Sequence, residues 1–169
     1  MPYATLTGEP ILISTRQDLC CARGKIVDQD GTAVHAATFI RQRRIVLDAA
    51  LLKNDDELRR ILIHELFHFV WVRLANRVRR SFERLLAAQR PAEGELGWSA
   101  EYRKHALAAH DVRQRSRKWR EYCCEAFCDT AAFIYASSRR HREFTLARTE
   151  RQKRIAWFGK NLGSGNVRI

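Results

Sequence analysis

The chain has 169 residues, of which 46% are hydrophobic and 30% charged, with only 3 prolines and 8 glycines, so it suits one domain with its own core and excludes a disordered or collagen-like polymer. Thirty-one Lys+Arg against 19 Asp+Glu give a formal charge of +12. No apolar run approaches the ~20 residues of a membrane-spanning helix, the N-terminus lacks a basic stretch followed by a long apolar one, and five cysteines are an odd count for a disulfide framework, so a cytoplasmic protein with reduced thiols is expected.

Strand signals fill residues 1–50. Short β-branched segments at residues 11–14, 24–28, 37–40 and 44–48, with Asp30-Gly31 as a turn, predict a small sheet of three or four strands. From Asn54 the texture becomes helical, and breakers are scarce: there is no glycine between 32 and 93, and neither glycine nor proline between 98 and 158. Asn54 or Asp55 can cap a helix with an acidic first turn (Asp55, Asp56, Glu57) and apolar residues Leu58, Ile61, Leu62, Leu66, Phe69 and Val70 at helical spacing. That helix is expected to run past Arg77 and Arg84 toward the breaker cluster at 91–97. Further helices are predicted around 100–109, 119–136 and 145–162, with 163–169 as a flexible tail. The expectation is a single α+β domain spanning 1–169, with a small N-terminal mixed sheet packed on the first helix and several helices after it.

His64-Glu65-Leu66-Phe67-His68 places two histidines one helical turn apart on a single face with a glutamate between them. Two imidazoles so placed can hold one zinc ion, and Glu65 can take a proton from a water beside it. The flanking residues are apolar, so these polar groups would destabilise a buried helix unless something satisfied them. Two core histidines bonded to carbonyls, with Glu65 paired to an arginine, are the alternative. A third ligand is sought in residues 121–129, where Glu125 and Asp129 lie one turn apart; Asp129 could then accept the second ring N–H of a ligating histidine. Glu121, His105 and His110 are the other candidate ligands.

HExxH followed by a helix with ExxxD resembles the gluzincin branch of the zincin metallopeptidases, the group that includes thermolysin. The resemblance implies a zincin-like fold and a Zn2+ cofactor held by His64, His68 and Glu125. It also implies Glu65 as catalytic base, Asp129 in support and a peptide or protein substrate. The chain departs from the family in the gap of 57 positions from His68 to Glu125 and in Cys124, which stands where an asparagine precedes the ligand glutamate. A metzincin pattern fails because Trp71 and Leu74 stand where glycine and histidine are needed. A tetrahedral oxyanion would need a further donor, for which Tyr102, Tyr122, His105 and His110 are candidates. One strand, 37–40 or 44–48, would pair with an extended substrate by edge addition.

Cys124 and Cys128, one turn apart, could join Cys20-Cys21 in a thiolate site, but their apolar neighbours favour core packing. Twenty-five of the 31 basic residues are arginine, clustered at 77–84, 113–120 and 139–142. Guanidinium groups suit phosphate, so nucleic acid or an acidic partner bound by a non-catalytic, regulatory module is the alternative function, with a solvated helix face as the default reading. The oligomeric state has no sequence signal.

Overall fold

Ile45, Val46 and Leu47 are three consecutive buried residues in one short strand, the pattern of a strand covered on both faces. The computed structural model, which describes residues 5–22, 25–28, 30–136, 140–163 and 166–169, places that strand at the centre of a mixed sheet. In chain order the strands are β1 (Thr5–Thr7), β2 (Leu12–Arg16), β3 (Cys20–Ala22), β4 (Lys25–Val27), β5 (Thr32–Ala33), β6 (Ala36–Phe39) and β7 (Arg44–Asp48). The helices follow as α1 (Asp55–Arg73), α2 (Asn76–Gln89), α3 (Trp98–His105), α4 (Ala109–Gln114), α5 (Arg117–Tyr135) and α6 (Arg148–Asn161), and β8 (Asn166–Arg168) comes last.

The expected single sheet is divided into three. β7 is flanked by β2, parallel in the register Leu12↔Arg44, and by β6, antiparallel with Ala36↔Leu47. β3 lies between β4 and β5 in an antiparallel unit. β1 pairs in parallel with β8, so the segment expected to be a flexible tail includes a strand. Of the two strands expected to offer an edge to substrate, β7 is central and β6 is the edge.

α1 begins as its sequence dictates: the Asn54 side chain accepts the Glu57 N–H at 3.1 Å, and three acidic residues face the positive end of the helix dipole. Its apolar residues go two ways. Leu58, Ile61, Leu62, Leu66 and Phe69 pack with Ile45, Leu47 and Leu51 on the sheet side, while Ile63, Phe67, Val70 and Trp71 join the helical core. Covered on two sides, the helix needs no single apolar stripe. It ends sooner than expected, because Leu74 and Ala75 are extended (ψ 138° and 144°) and α2 starts anew.

α5 is the main partner of α1. Ala126, Ala131, Ala132, Cys123 and Cys128 are all buried there, and small side chains let two helices approach closely. Phe127 fills the remaining space, 5.0 Å from Trp71 and 4.9 Å from Phe158, centroid to centroid. The loop between α2 and α3 is held from within: Arg154 donates to both Glu95 oxygens at 2.7 and 3.1 Å and to Gln89 at 2.8 Å, all fully enclosed.

Candidate metal centre

The turn of α1 that crosses α5 carries His64, Glu65 and His68. The two imidazole centroids are 5.0 Å apart, as expected for i and i+4 on one face. His64 Nδ1 is 2.7 Å from Asp129 Oδ1, and since a carboxylate only accepts, that nitrogen carries the proton, which leaves Nε2 as the candidate ligand atom. The second Asp129 oxygen accepts the Ala100 N–H at 3.2 Å, so one carboxylate orients a histidine and caps α3. Gly97 makes room for it, because a Cβ there would overlap the carboxylate.

Glu125 Oε2 lies 3.3 Å from His64 Nε2 and 3.9 Å from His68 Nε2. His68 Nδ1 meets Cys124 Sγ at 3.4 Å. Thr38 Oγ1, on the edge strand β6, donates to Glu65 Oε2 at 2.5 Å. His64, Glu65 and Asp129 open onto a cleft of about 420 Å3 whose other walls include Trp98, His35 and Arg142.

The two imidazoles, the Glu125 carboxyl and the Cys124 and Cys128 thiols are displaced from their ordinary pKa values. Burial acts to lower the His64 pKa, but Asp129, Glu125 and Glu65 together hold it well above the ordinary imidazole value. For His68, burial is likewise outweighed, by Cys124 and by Glu125 and Glu65, and the value rises to about 9. Cys124 falls to about 6 through its hydrogen bond with Cys128, against burial and with help from His68. Burial would raise Glu125, yet His64, His68 and Arg103 bring it to about 2. Burial pushes the Cys128 thiol well up. The metal-free cluster thus balances its carboxylates with protons on imidazoles, positions a divalent cation could take over.

Among the described residues, the group able to hold a metal is His64, His68 and Cys128, with ligand atoms within 4.8 Å of one another. This overturns the gluzincin resemblance, which requires the third ligand to be a downstream glutamate. The reason lies in the face α5 turns toward α1: Cys128 is fully buried in it, next to Asp129. Two imidazoles and a thiol are a nitrogen and sulfur set that suits zinc. Cys128 packs in the helical core, as its apolar neighbours led one to expect, and also lies within reach of both imidazoles. Its signal in the sequence was its place directly before Asp129, the partner of His64. Cys20-Cys21 are outside the group, and all five cysteines are free.

The remaining candidates are dispersed. Glu121 is paired with Arg117 at 2.6 Å and Arg103 at 3.3 Å. His105 is exposed at the end of α3, and His110 is exposed beside Asp111 at 3.8 Å. Tyr122 is fully buried and donates to Glu95 at 2.6 Å. Tyr102 is exposed and stacks on Trp98, with centroids 5.4 Å apart. Among the arginines expected to meet phosphate, Arg115 is bound by both Glu83 oxygens and Arg117 by Glu121.

Fold and site together define an α+β protein in which a mixed sheet precedes a helical bundle and the HExxH helix contributes to a candidate metal cluster. Comparison with family models, with curated proteins and with solved structures finds no match. No helix among the described residues is long and apolar enough to cross a membrane.

Proposed function

We propose that the protein is a zinc-dependent metallopeptidase, with His64, His68 and Cys128 as zinc donors and Glu65 as catalytic base. The observation that carries this reading is the position of Glu65, between two candidate ligands and open to a cleft of about 420 Å3. A zinc site kept only for structure has no use for a carboxylate facing an open cleft.

Zinc bound there would supply a Lewis acid for the scissile carbonyl and make an attacking water more acidic. Glu65 takes the proton of that water and passes it to the departing amine. Thr38 holds Glu65 from the edge strand, and the free edge of β6 receives an extended peptide. Asp129 fixes the ring of His64. Glu125 keeps the Nε2 side of both imidazoles negative, which draws a cation in. His35 and Arg142 are donors that the cleft offers to the substrate.

Purified protein should contain one zinc per chain by mass spectrometry and cleave members of a mixed peptide library. Glu65→Gln should keep the zinc and lose cleavage by about 100-fold or more, the usual scale for a general base, whereas His64→Ala should lose the metal. Full turnover in Glu65→Gln would refute the mechanism.

A further inference from the structure

α2, the α4–α5 junction and the start of α5 enclose a second cavity, of about 270 Å3, which shares no lining residue with the cleft at His64. Arg79, Arg80, Arg115 and Arg120 line it. Its one carboxylate, Glu83, is buried and already bound by Arg115 Nε and Nη2 at 2.7 and 2.8 Å. Arg79 donates to the neutral Asn76 side chain at 2.7 Å and has no acidic partner among the described residues. Arg80 and Arg120 are exposed and have no acidic partner among the described residues. Three guanidinium charges therefore face one space with no carboxylate among the described residues bonded to them, an arrangement that repels itself until an anion enters.

The start of α2 points the same way. α2 begins at this cavity with Asn76, its capping position is Ala75, whose side chain makes no cap, and its first turn has no acid but does have Arg77 and Arg79. α5 differs, being capped by Ser116, whose hydroxyl donates to Asp111 at 2.6 Å, although its own first turn carries Arg117, Lys118 and Arg120 and no acid. Cations at the positive end of a helix dipole oppose the usual preference. α1 follows that preference, with Asp55, Asp56 and Glu57 in its first turn. The start of α2, with neither a side-chain cap nor an acid, marks a place where an external anion supplies the missing charge.

All four cations are arginine, whose fork matches two oxygens of a phosphate. The cavity suits a single phosphate group, but the positive surface continues past it through exposed Arg77 and Arg84 on α2 and through exposed Arg113 and Lys118 near the start of α5. A free phosphate would leave those unused, whereas a phosphodiester chain passing through would meet them in series. We propose that this cavity and its flanks bind the backbone of a nucleic acid, a binding function independent of the metal centre.

The test is fluorescence anisotropy of the full chain with labelled single-stranded DNA, single-stranded RNA and duplex DNA, over salt from about 50 to 300 mM. Arg80→Ala/Arg120→Ala removes two exposed side chains and should leave the melting curve unchanged. It should weaken binding at low salt by at least tenfold. The slope of log affinity against log salt should shrink by about 1.4 for single strands and about 1.8 for duplex, two phosphate contacts' worth. Arg148→Ala/Lys160→Ala, an equal charge loss from exposed positions on α6, should change both much less. Equal losses in the two variants would overturn the site in favour of diffuse attraction. Absence of nucleic-acid binding at low salt would overturn it also, including when inorganic phosphate or phosphatidylserine vesicles bind instead.

Discussion

Counting the protons that leave when zinc enters tests the ligand set directly. In the metal-free protein His68 titrates at about 9 and His64 well above its ordinary value, so at pH 7 both rings are protonated. Zinc must displace one proton from each. For His68 alone the gap of about two units between pH 7 and its pKa weakens apparent affinity by about a hundredfold. Cys128 is also protonated, its thiol pushed up by burial, and must lose a proton to ligate. Glu125, at about 2, and Cys124, at about 6, are mostly ionised already and release little or nothing. A His64, His68, Cys128 site therefore releases about three protons near pH 7, and a site with Glu125 in place of the thiol about two. The sign follows: raising pH removes the competing protons, so zinc affinity climbs toward pH 9 by up to about tenfold per unit for each proton displaced. Calorimetry of zinc binding in two buffers of different ionisation heat gives the count. The difference between wild type and Cys128→Ala cancels any proton lost by water and should be close to one. Equal counts in the two proteins, with Glu125→Gln losing zinc instead, would refute thiol ligation.

Gly97→Ala should drive Asp129 away from His64 and Ala100, and chelator competition should show zinc affinity reduced by about ten- to a hundredfold, the scale for a partner that orients a ligand; unchanged affinity would show that Asp129 has another way to reach His64. Arg154→Met strands the fully buried Glu95 carboxylate, leaving Lys104 at 3.3 Å as its nearest remaining cation. Urea denaturation should record a loss of about 3–5 kcal/mol, and a loss below 1 kcal/mol would mean that water or Lys104 satisfies the group.

What the sequence made legible was whatever depends on local rules. The α1 cap, its acidic first turn and the His64, Glu65, His68 spacing are encoded within about four turns of helix, and all were readable. β2, β4, β6 and β7 were signalled by β-branched runs, but β3, Cys20-Cys21-Ala22, has no β-branched residue and β5 is two residues long, too short for any pattern. β8 pairs with β1 across almost the whole chain, a contact no local pattern announces. The break between α1 and α2 occurs at Leu74 and Ala75, residues that ordinarily continue a helix. The metal cluster is legible only in half, because α1 supplies its histidines at a fixed spacing while the face α5 presents depends on how the two helices pack. Glu125 and Cys128 are three residues apart and both can face α1; burial of the thiol beside the rings is a tertiary fact.

Asp129 shows why the site and the fold are not separable here. Gly97, at the capping position before α3, has no side chain to cap the helix, and the N–H of Ala100 is satisfied from α5 instead. The carboxylate that does so also holds His64 of α1, so three helices meet on two oxygens. Removing the His64 proton by metal binding at Nε2 leaves the Nδ1 hydrogen bond in place, and the junction keeps both of its bonds in either state. Truncating Asp129 would free a helix N-terminus and a buried imidazole together, so its effect on stability and its effect on zinc must be read in the same variant. Gly97→Ala displaces the carboxylate without deleting it. Comparing that variant with Asp129→Asn, which keeps the shape and an acceptor but not the charge, separates the capping role from the electrostatic one.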